Sequence, residues 1–202
     1  MNKSKQNNSR WIVGVTGASG MQYAIATIKE LAKNVGEVMV IVSEAGHRVL
    51  AEELDIKLSA SSLSAKNLLG EDFSNVFFLN PRDWGASVAS GSFIFEGMIV
   101  VPCSMSTLAC IANGINQNLI HRAADVTLKE SRRLVVVPRE TPLSQVHLRN
   151  MLTLAENGAI VVPAMPGFYS LPKNIDELVL AMALKILDAA GIEHTLSGRW
   201  QE

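Results

Sequence analysis

The densest set of groups able to act on a ligand lies between Asn118 and Pro142. There NLIHRAADVTLKESRRLVVVPRETP carries Arg122, Lys129, Arg132, Arg133 and Arg139 in a chain whose formal net charge is only -1. A basic run in an otherwise balanced sequence predicts a local site for something anionic. The apolar stretch LVVVP reads as a buried strand, and ligands of open α/β sheets sit beyond the carboxyl ends of strands. Arg139 and Glu140 follow that strand directly, so a cation and a proton donor are expected together.

Two further segments have suitable chemistry. VTGASGMQYA places Gly17, Ala18, Ser19 and Gly20 between a strand run and a helix run, where small residues admit a ligand and free N–H groups favour anions. PCSMST offers Ser104, Ser106 and Thr107 around Met105 at the start of another helix run. The GxGxxG spacing is incomplete, and the second strand ends in Ser43 rather than an acidic residue for a ribose hydroxyl, which disfavours NAD. Without a Walker GK[ST], the hydroxyls suit the monophosphate end of a cofactor better than a nucleoside triphosphate. Plainer readings exist for each residue. Ser19 and the PCSMST hydroxyls could only cap helices, Glu52 and Glu53 at the end of the second helix could only be solvated, and Lys185 on the last helix could face water. Trp84 and Trp200 could pack in the protein or stack on a flat cofactor, while the Tyr169 phenol in PAMPGFY could donate to an oxyanion.

Strand-like and helix-like runs alternate and must position these groups. WIVGVT precedes MQYAIATIKELAK, EVMVIV precedes EAGHRVLAEEL, and GMIVVP precedes MSTLACIANGI; RLVVVP precedes LSQVHLRNMLTLAENG, and AIVVP precedes NIDELVLAMALKILDAAG. Repeated βα units predict an α/β protein, a Rossmann-like three-layer fold with a doubly wound, mostly parallel sheet. Apolar residues recur at helical spacing, as in Ile25, Ile28 and Leu31, or Leu178, Met182 and Leu187. Residues 55–75 and 80–92 break the alternation and are expected to be loops near the ligand, or a lid. Residues 1–10 are expected to form a flexible leader and 11–202 one domain.

Composition narrows the class. A chain of 202 residues, 48% hydrophobic and 18% charged, can bury one sizeable core. A pI of about 6.4 argues against general nucleic-acid binding. The polar start lacks a secretory pattern, and no run reaches about 18 uninterrupted apolar residues, so a cytoplasmic protein without membrane association is expected. Cys103 and Cys110 read as small buried hydrophobes, and the scattered His47, His121, His147 and His194 predict no metal site.

Taken together, TGASG, SGSF, GMIVVPCSMSTLACIANGINQNLIHRAADVTLKE, VPRETPL and PAMPGFY resemble the flavin prenyltransferase family of the UbiX type, once described as aromatic-acid carboxy-lyases. The likeness runs from Trp11 to Trp200 in unbroken order, and RAADVxLKE with PRETPL makes it specific. The resemblance implies that reduced FMN is alkylated at N5 and C6 by dimethylallyl phosphate, without metal, to give prenylated FMN for a partner decarboxylase. It assigns FMN binding to Gly17, Ala18, Ser19, Ser43, Ser104, Met105, Ser106, Thr107 and Arg139. It places Lys129, Arg139, Tyr169 and Lys185 around the prenyl phosphate, with Arg122 supporting them. The family more usually carries an arginine where Lys185 stands, and lysine keeps the charge but loses the forked geometry.

The same resemblance implies that Glu140 exchanges protons with the departing phosphate and N5, that Glu53 accepts the C6 proton, and that Ser19 holds N5. Trp84 and Trp200 would shield the allyl cation. It also implies a homododecamer with shared sites, SGRW completing a neighbour's pocket, and leaves quinone synthesis and aromatic-acid breakdown both open. Two other readings compete. One is an FMN-dependent decarboxylase of the wider superfamily, related through PCSMSTLACIANGINQNL; the other is a non-catalytic flavin carrier, which would need the pocket but not the paired cations and Glu140.

Overall fold

Residues 9–58 and 62–194 are described in the structure, a computed structural model. Along the chain come β1 (Arg10–Val15), α1 (Met21–Asn34), β2 (Glu37–Val42), α2 (Glu44–Leu54), α3 (Ala65–Leu69) and β3 (Val76–Leu79). A 3₁₀ turn (Ser87–Ala89), β4 (Gly97–Cys103), α4 (Met105–Ala112), α5 (Leu119–Lys129), β5 (Arg133–Pro138), α6 (Gln145–Glu156), β6 (Ile160–Val161) and α7 (Ile175–Ala190) follow. The six strands form one sheet of order β3-β2-β1-β4-β5-β6, and every pairing is parallel.

Both faces of this sheet are covered, as parallel sheets require. Alternate strand residues divide between two cores. Val13, Val15, Ile99, Val101, Val135 and Val137 pack with α1, α7, Leu50 of α2 and Leu68 and Leu69 of α3. Ile12, Met98, Val100, Leu134 and Val136 pack with α4, α5 and Leu154 of α6. Ile28, Leu31, Met182 and Leu187, expected on apolar helix stripes, are buried. The doubly wound fold is therefore present. Because β2 lies on one side of β1 and β4 on the other, strand order reverses at β1, and a crevice opens there at the carboxyl ends.

Several local expectations change. The 55–75 stretch is not loop throughout: Ser64 accepts a hydrogen bond from the Asn67 N–H and starts α3, whose Leu68 and Leu69 are buried. β3 is an edge strand that the alternation did not reveal, because VFFL is short and half exposed at Phe77. α5 was visible only as a basic motif, yet Asn118 caps it and Leu119, Ile120, Ala123, Ala124 and Val126 form its buried stripe. β1 starts at Arg10, and Ser9 before it is buried, its carbonyl accepting from the Gly36 and Glu37 N–H groups. AIVVP contributes only the two-residue β6. Cys103 and Cys110 are buried, and burial pushes both thiols above their usual range. Among the described residues, no helix is long and apolar enough to cross a membrane, and no cluster of His, Cys, Asp and Glu could hold a metal ion.

Candidate active site

The turn after β1 is built for close approach. A Cβ on Gly17 would collide with Ala45 at the start of α2, and Gly20, the residue before α1, holds a left-handed φ of 106°. No side chain of the turn caps α1; the cap comes from Glu53, 33 residues on, at the end of α2. Its carboxylate accepts from the Gly20 N–H at 3.0 Å and the Met21 N–H at 2.9 Å, and also from the Ser19 hydroxyl. Burial pushes the Glu53 carboxyl upward. The hydrogen bonds from Ser19, Met21 and Gly20, with the charge of Arg139, outweigh it and leave the group below the usual carboxylate range. Glu53 is thus an ionised acceptor at the cleft wall, and it has already taken the anion-favouring N-terminus of α1.

Two clefts meet above these loops. The first, of about 270 Å³, is lined by Gly17, Ala18, Ser19, Glu53, Ser104, Met105, Arg139 and Glu140. Glu140 is exposed toward it and turns one carboxylate oxygen back to the Thr141 N–H at 3.0 Å. The buried Nε of Arg139 has no partner among the described residues. The second cleft, of about 350 Å³, is lined by Gly17, Ser43, Pro81, Arg82, Ser104, Ser106, Thr107 and Asn118. Ser43 and Ser104 cap α2 and α4, accepting from the Gly46 and Thr107 N–H groups. Capping by these hydroxyls is therefore real, and both also face ligand space.

Gly17 and Ser104 belong to both clefts, so one extended molecule could cross from one to the other. The residues fit a flavin mononucleotide on an observation of their own: the orphaned, buried Arg139 donor faces the first cleft, and hydroxyls with a helix N-terminus face the second.

Other expected site residues do not converge with these within one chain. Trp84 is 52% exposed on the 80–92 loop. Arg122 donates from Nε to the Ala89 carbonyl at 3.0 Å and from Nη1 to Asp125 at 2.7 Å. Lys129 pairs with Glu130 at 3.1 Å beside Gly91. Lys129 sits near the amino end of β5 and Arg139 just past its carboxyl end, so the six-residue strand holds them on the order of 15–20 Å apart. The single basic cluster read from residues 118–142 is corrected accordingly. Arg132 donates to the Phe93 and Gly91 carbonyls at 2.8 and 2.7 Å and stacks over Phe95 at 4.2 Å, while Arg133 reaches toward Gly191. Tyr169 and Lys185 share a different space, an apolar groove of about 890 Å³ between the 165–172 segment and α7. That segment leaves the sheet beside Arg139, where the Ala164 N–H donates to the Pro138 carbonyl at 3.0 Å. Trp200 and the whole of SGRW lie outside the described residues.

The Glu53 clamp on α1 and the Arg139 orphan were not foreseeable as geometry, since 33 residues separate Glu53 from Gly20. A crevice at a sheet reversal, walled by hydroxyl-capped helices, defines a mononucleotide-binding α/β protein, and the family model described as Flavoprotein matches residues 1–184. Flavin prenyltransferase UbiX of Halalkalibacterium halodurans is 48% identical over 192 residues, covering 95% of this chain and 93% of that protein. A dodecameric FMN-dependent UbiX-like decarboxylase from Escherichia coli O157:H7 superposes with a TM-score of 0.84 at 42% identity, covering 96% of this chain and 100% of that one. AnUbiX (PadA1), solved in complex with FMN and dimethylallyl pyrophosphate, superposes at 0.83 with 37% identity and the same coverage. The chain belongs to the Flavoprotein family and, within it, to the flavin prenyltransferases of the UbiX type.

Proposed function

We propose that this chain joins the dimethylallyl group of dimethylallyl phosphate to N5 and C6 of reduced FMN, releases phosphate, and hands prenylated FMN to a partner decarboxylase. The observation that carries the reading is the Ser19–Glu53–Arg139–Glu140 cleft, in a chain 48% identical to a flavin prenyltransferase. Bound reduced flavin supplies the nucleophilic nitrogen and the aromatic carbon that the allyl group alkylates. The Ser43, Ser106 and Thr107 cleft would hold the flavin phosphate, because Glu53 already occupies the α1 N-terminus and would repel it there. Gly17, Ala18, Ser104 and Met105 would line the passage to the ring, and Ser19 would hold N5.

The allylic C–O bond breaks with its electron pair passing to phosphate, so the protein's main task is to stabilise that anion. Arg139 would grip it from the first cleft, and Tyr169 and Lys185 from the adjoining groove. Charge-assisted hydrogen bonds contribute about 1.5–3 kcal/mol each, so several lower the barrier substantially. Glu140 would exchange a proton with the departing phosphate, and the ionised Glu53 would take the proton lost from C6. Lys129, Arg122 and Trp84 fit this scheme only when a second copy presents them, which supports a homo-oligomer with shared sites; we take the homododecamer as the assembly. We place the described residues in one domain, and the protein in the cytoplasm.

Anaerobic incubation with reduced FMN and dimethylallyl phosphate tests the proposal. A new flavin species heavier by one dimethylallyl unit, with phosphate released, is expected. Unaltered flavin mass overturns the reading and favours a carrier.

A further inference from the structure

We infer that Thr16, to which the flavin reading gives no role, is a positioning residue that sets the spacing of the two ligand loops, and the inference rests on that reading. Thr16 follows β1 directly and is 1% exposed. All of its polar atoms are engaged. Its N–H donates to the Pro102 carbonyl at 3.2 Å, and its hydroxyl donates to the same carbonyl at 2.8 Å. The hydroxyl oxygen accepts from the Ser104 N–H at 2.8 Å, and the Thr16 carbonyl accepts from the Ala18 N–H at 2.9 Å.

These bonds join two loops distant in sequence. On one side Thr16 starts the Gly17–Gly20 turn that Glu53 closes; on the other it holds Ser104, the residue that caps α4. Gly17 and Ser104, the neighbour and the bonded partner of Thr16, are the residues common to both clefts. A ligand crossing between the clefts passes over the point that Thr16 ties down. At 1% exposure the hydroxyl is shut off from bulk water, so its loss leaves the Ser104 N–H unpaired and only the Thr16 N–H bond to the Pro102 carbonyl between the two loops.

Thr16→Val keeps the branched shape and removes the hydroxyl, whereas Thr16→Ser keeps the hydroxyl and removes the methyl. FMN titrations read by flavin fluorescence, run well below the melting temperature, should show roughly tenfold weaker binding for Thr16→Val, which loses both hydroxyl hydrogen bonds, the one to Pro102 and the one from Ser104. Thr16→Ser should bind like the parent. Unchanged affinity in Thr16→Val, or equal weakening in both variants, overturns the inference while leaving the flavin reading intact. A merely structural hydroxyl would lower the melting temperature of Thr16→Val and leave its affinity alone. A parent protein that leaves FMN fluorescence unquenched overturns the flavin reading and this inference together. Should Thr16→Val fold poorly, hydrogen exchange on the parent decides: added FMN must slow residues 16–20 and 103–108 together, and slowing in only one segment overturns the coupling.

Discussion

The crevice at the carboxyl ends of β1 and β4 and the surface formed by α5 with residues 84–93 carry comparable chemistry, but they are finished to different degrees. In the crevice, Glu53, Ser19 and the adjacent pair Arg139 and Glu140 come from three distant segments and line one cleft within a single chain. On the other surface, Arg122 bonds Ala89 and Asp125 and Lys129 pairs with Glu130, yet neither lines the cleft that contains Arg139. One chain therefore builds a flavin cradle, while the cations that would complete a phosphate cage point elsewhere. On the proposed reading, the difference separates flavin binding, which one chain supports, from prenyl transfer, which would need an assembly.

The sharpest way to break that comparison is to damage the crevice chemically without unbuilding it. Glu140→Gln keeps the shape of an exposed side chain, so FMN should bind normally while turnover falls about 100-fold or more, the range of a lost general acid or base. Anaerobic turnover followed by absorbance and mass spectrometry checks this, and normal product formation would remove Glu140 from the chemistry.

Lys129→Ala should act from the other region. Turnover should fall about 10- to 100-fold through weaker use of dimethylallyl phosphate, with FMN affinity unchanged. Co-assembled Lys129→Ala and Glu140→Gln chains should then recover part of the activity that neither has alone, because some sites would combine an intact Glu140 with an intact Lys129. No recovery in verified mixed oligomers would place both residues in one chain's site and sink the shared-site account.

The two regions also differed in how far residues alone revealed them. The crevice was legible because strand-end loops of small and hydroxylated residues have few other uses, so Gly17, Ser19, Ser104 and Thr107 could be named from local pattern. The fold was legible from its alternating runs, apart from α3, which lies in a stretch expected to be loop, and from β3 and α5. There a strand of four residues, exposed at Phe77, and a helix read first for its charges hid the periodicity. The basic run misled because β5 lies between Lys129 and Arg139 and carries them to opposite ends of the sheet. Arg132 and Arg133, neighbours of the expected cage in sequence, serve backbone carbonyls and the end of α7 instead. Thr16 carried no signal at all, since a buried hydroxyl becomes informative only once Pro102 and Ser104 lie beside it.

A smaller effect is expected from Lys185→Arg in the groove beside Tyr169. The charge stays and the fork is added, so affinity for dimethylallyl phosphate should improve by roughly a few-fold with little change in FMN binding. Steady-state kinetics at varied donor concentration reads this directly. An unchanged apparent affinity would mean that Lys185 does not touch the phosphate and that the groove serves another part of the assembly.

The smallest effect concerns stability rather than rate and isolates the cradle from the cage. The folded-state pKa of Glu53 is depressed, because hydrogen bonds from Ser19, Met21 and Gly20 and the charge of Arg139 outweigh the upward push of burial. Such a group adds stability that is fully present above its unfolded pKa and is lost as pH falls through the lower folded value. Glu53→Gln should therefore lower the melting temperature at pH 7 by about 2–4 °C, the size of one lost helix cap in a domain of this length. The gap between parent and variant should close in the acid range below the ordinary carboxylate pKa, where the parent's own carboxyl takes up a proton. A gap that persists unchanged there would mean that the side chain is held by shape alone, and the ionised acceptor assigned to the crevice would lose its support.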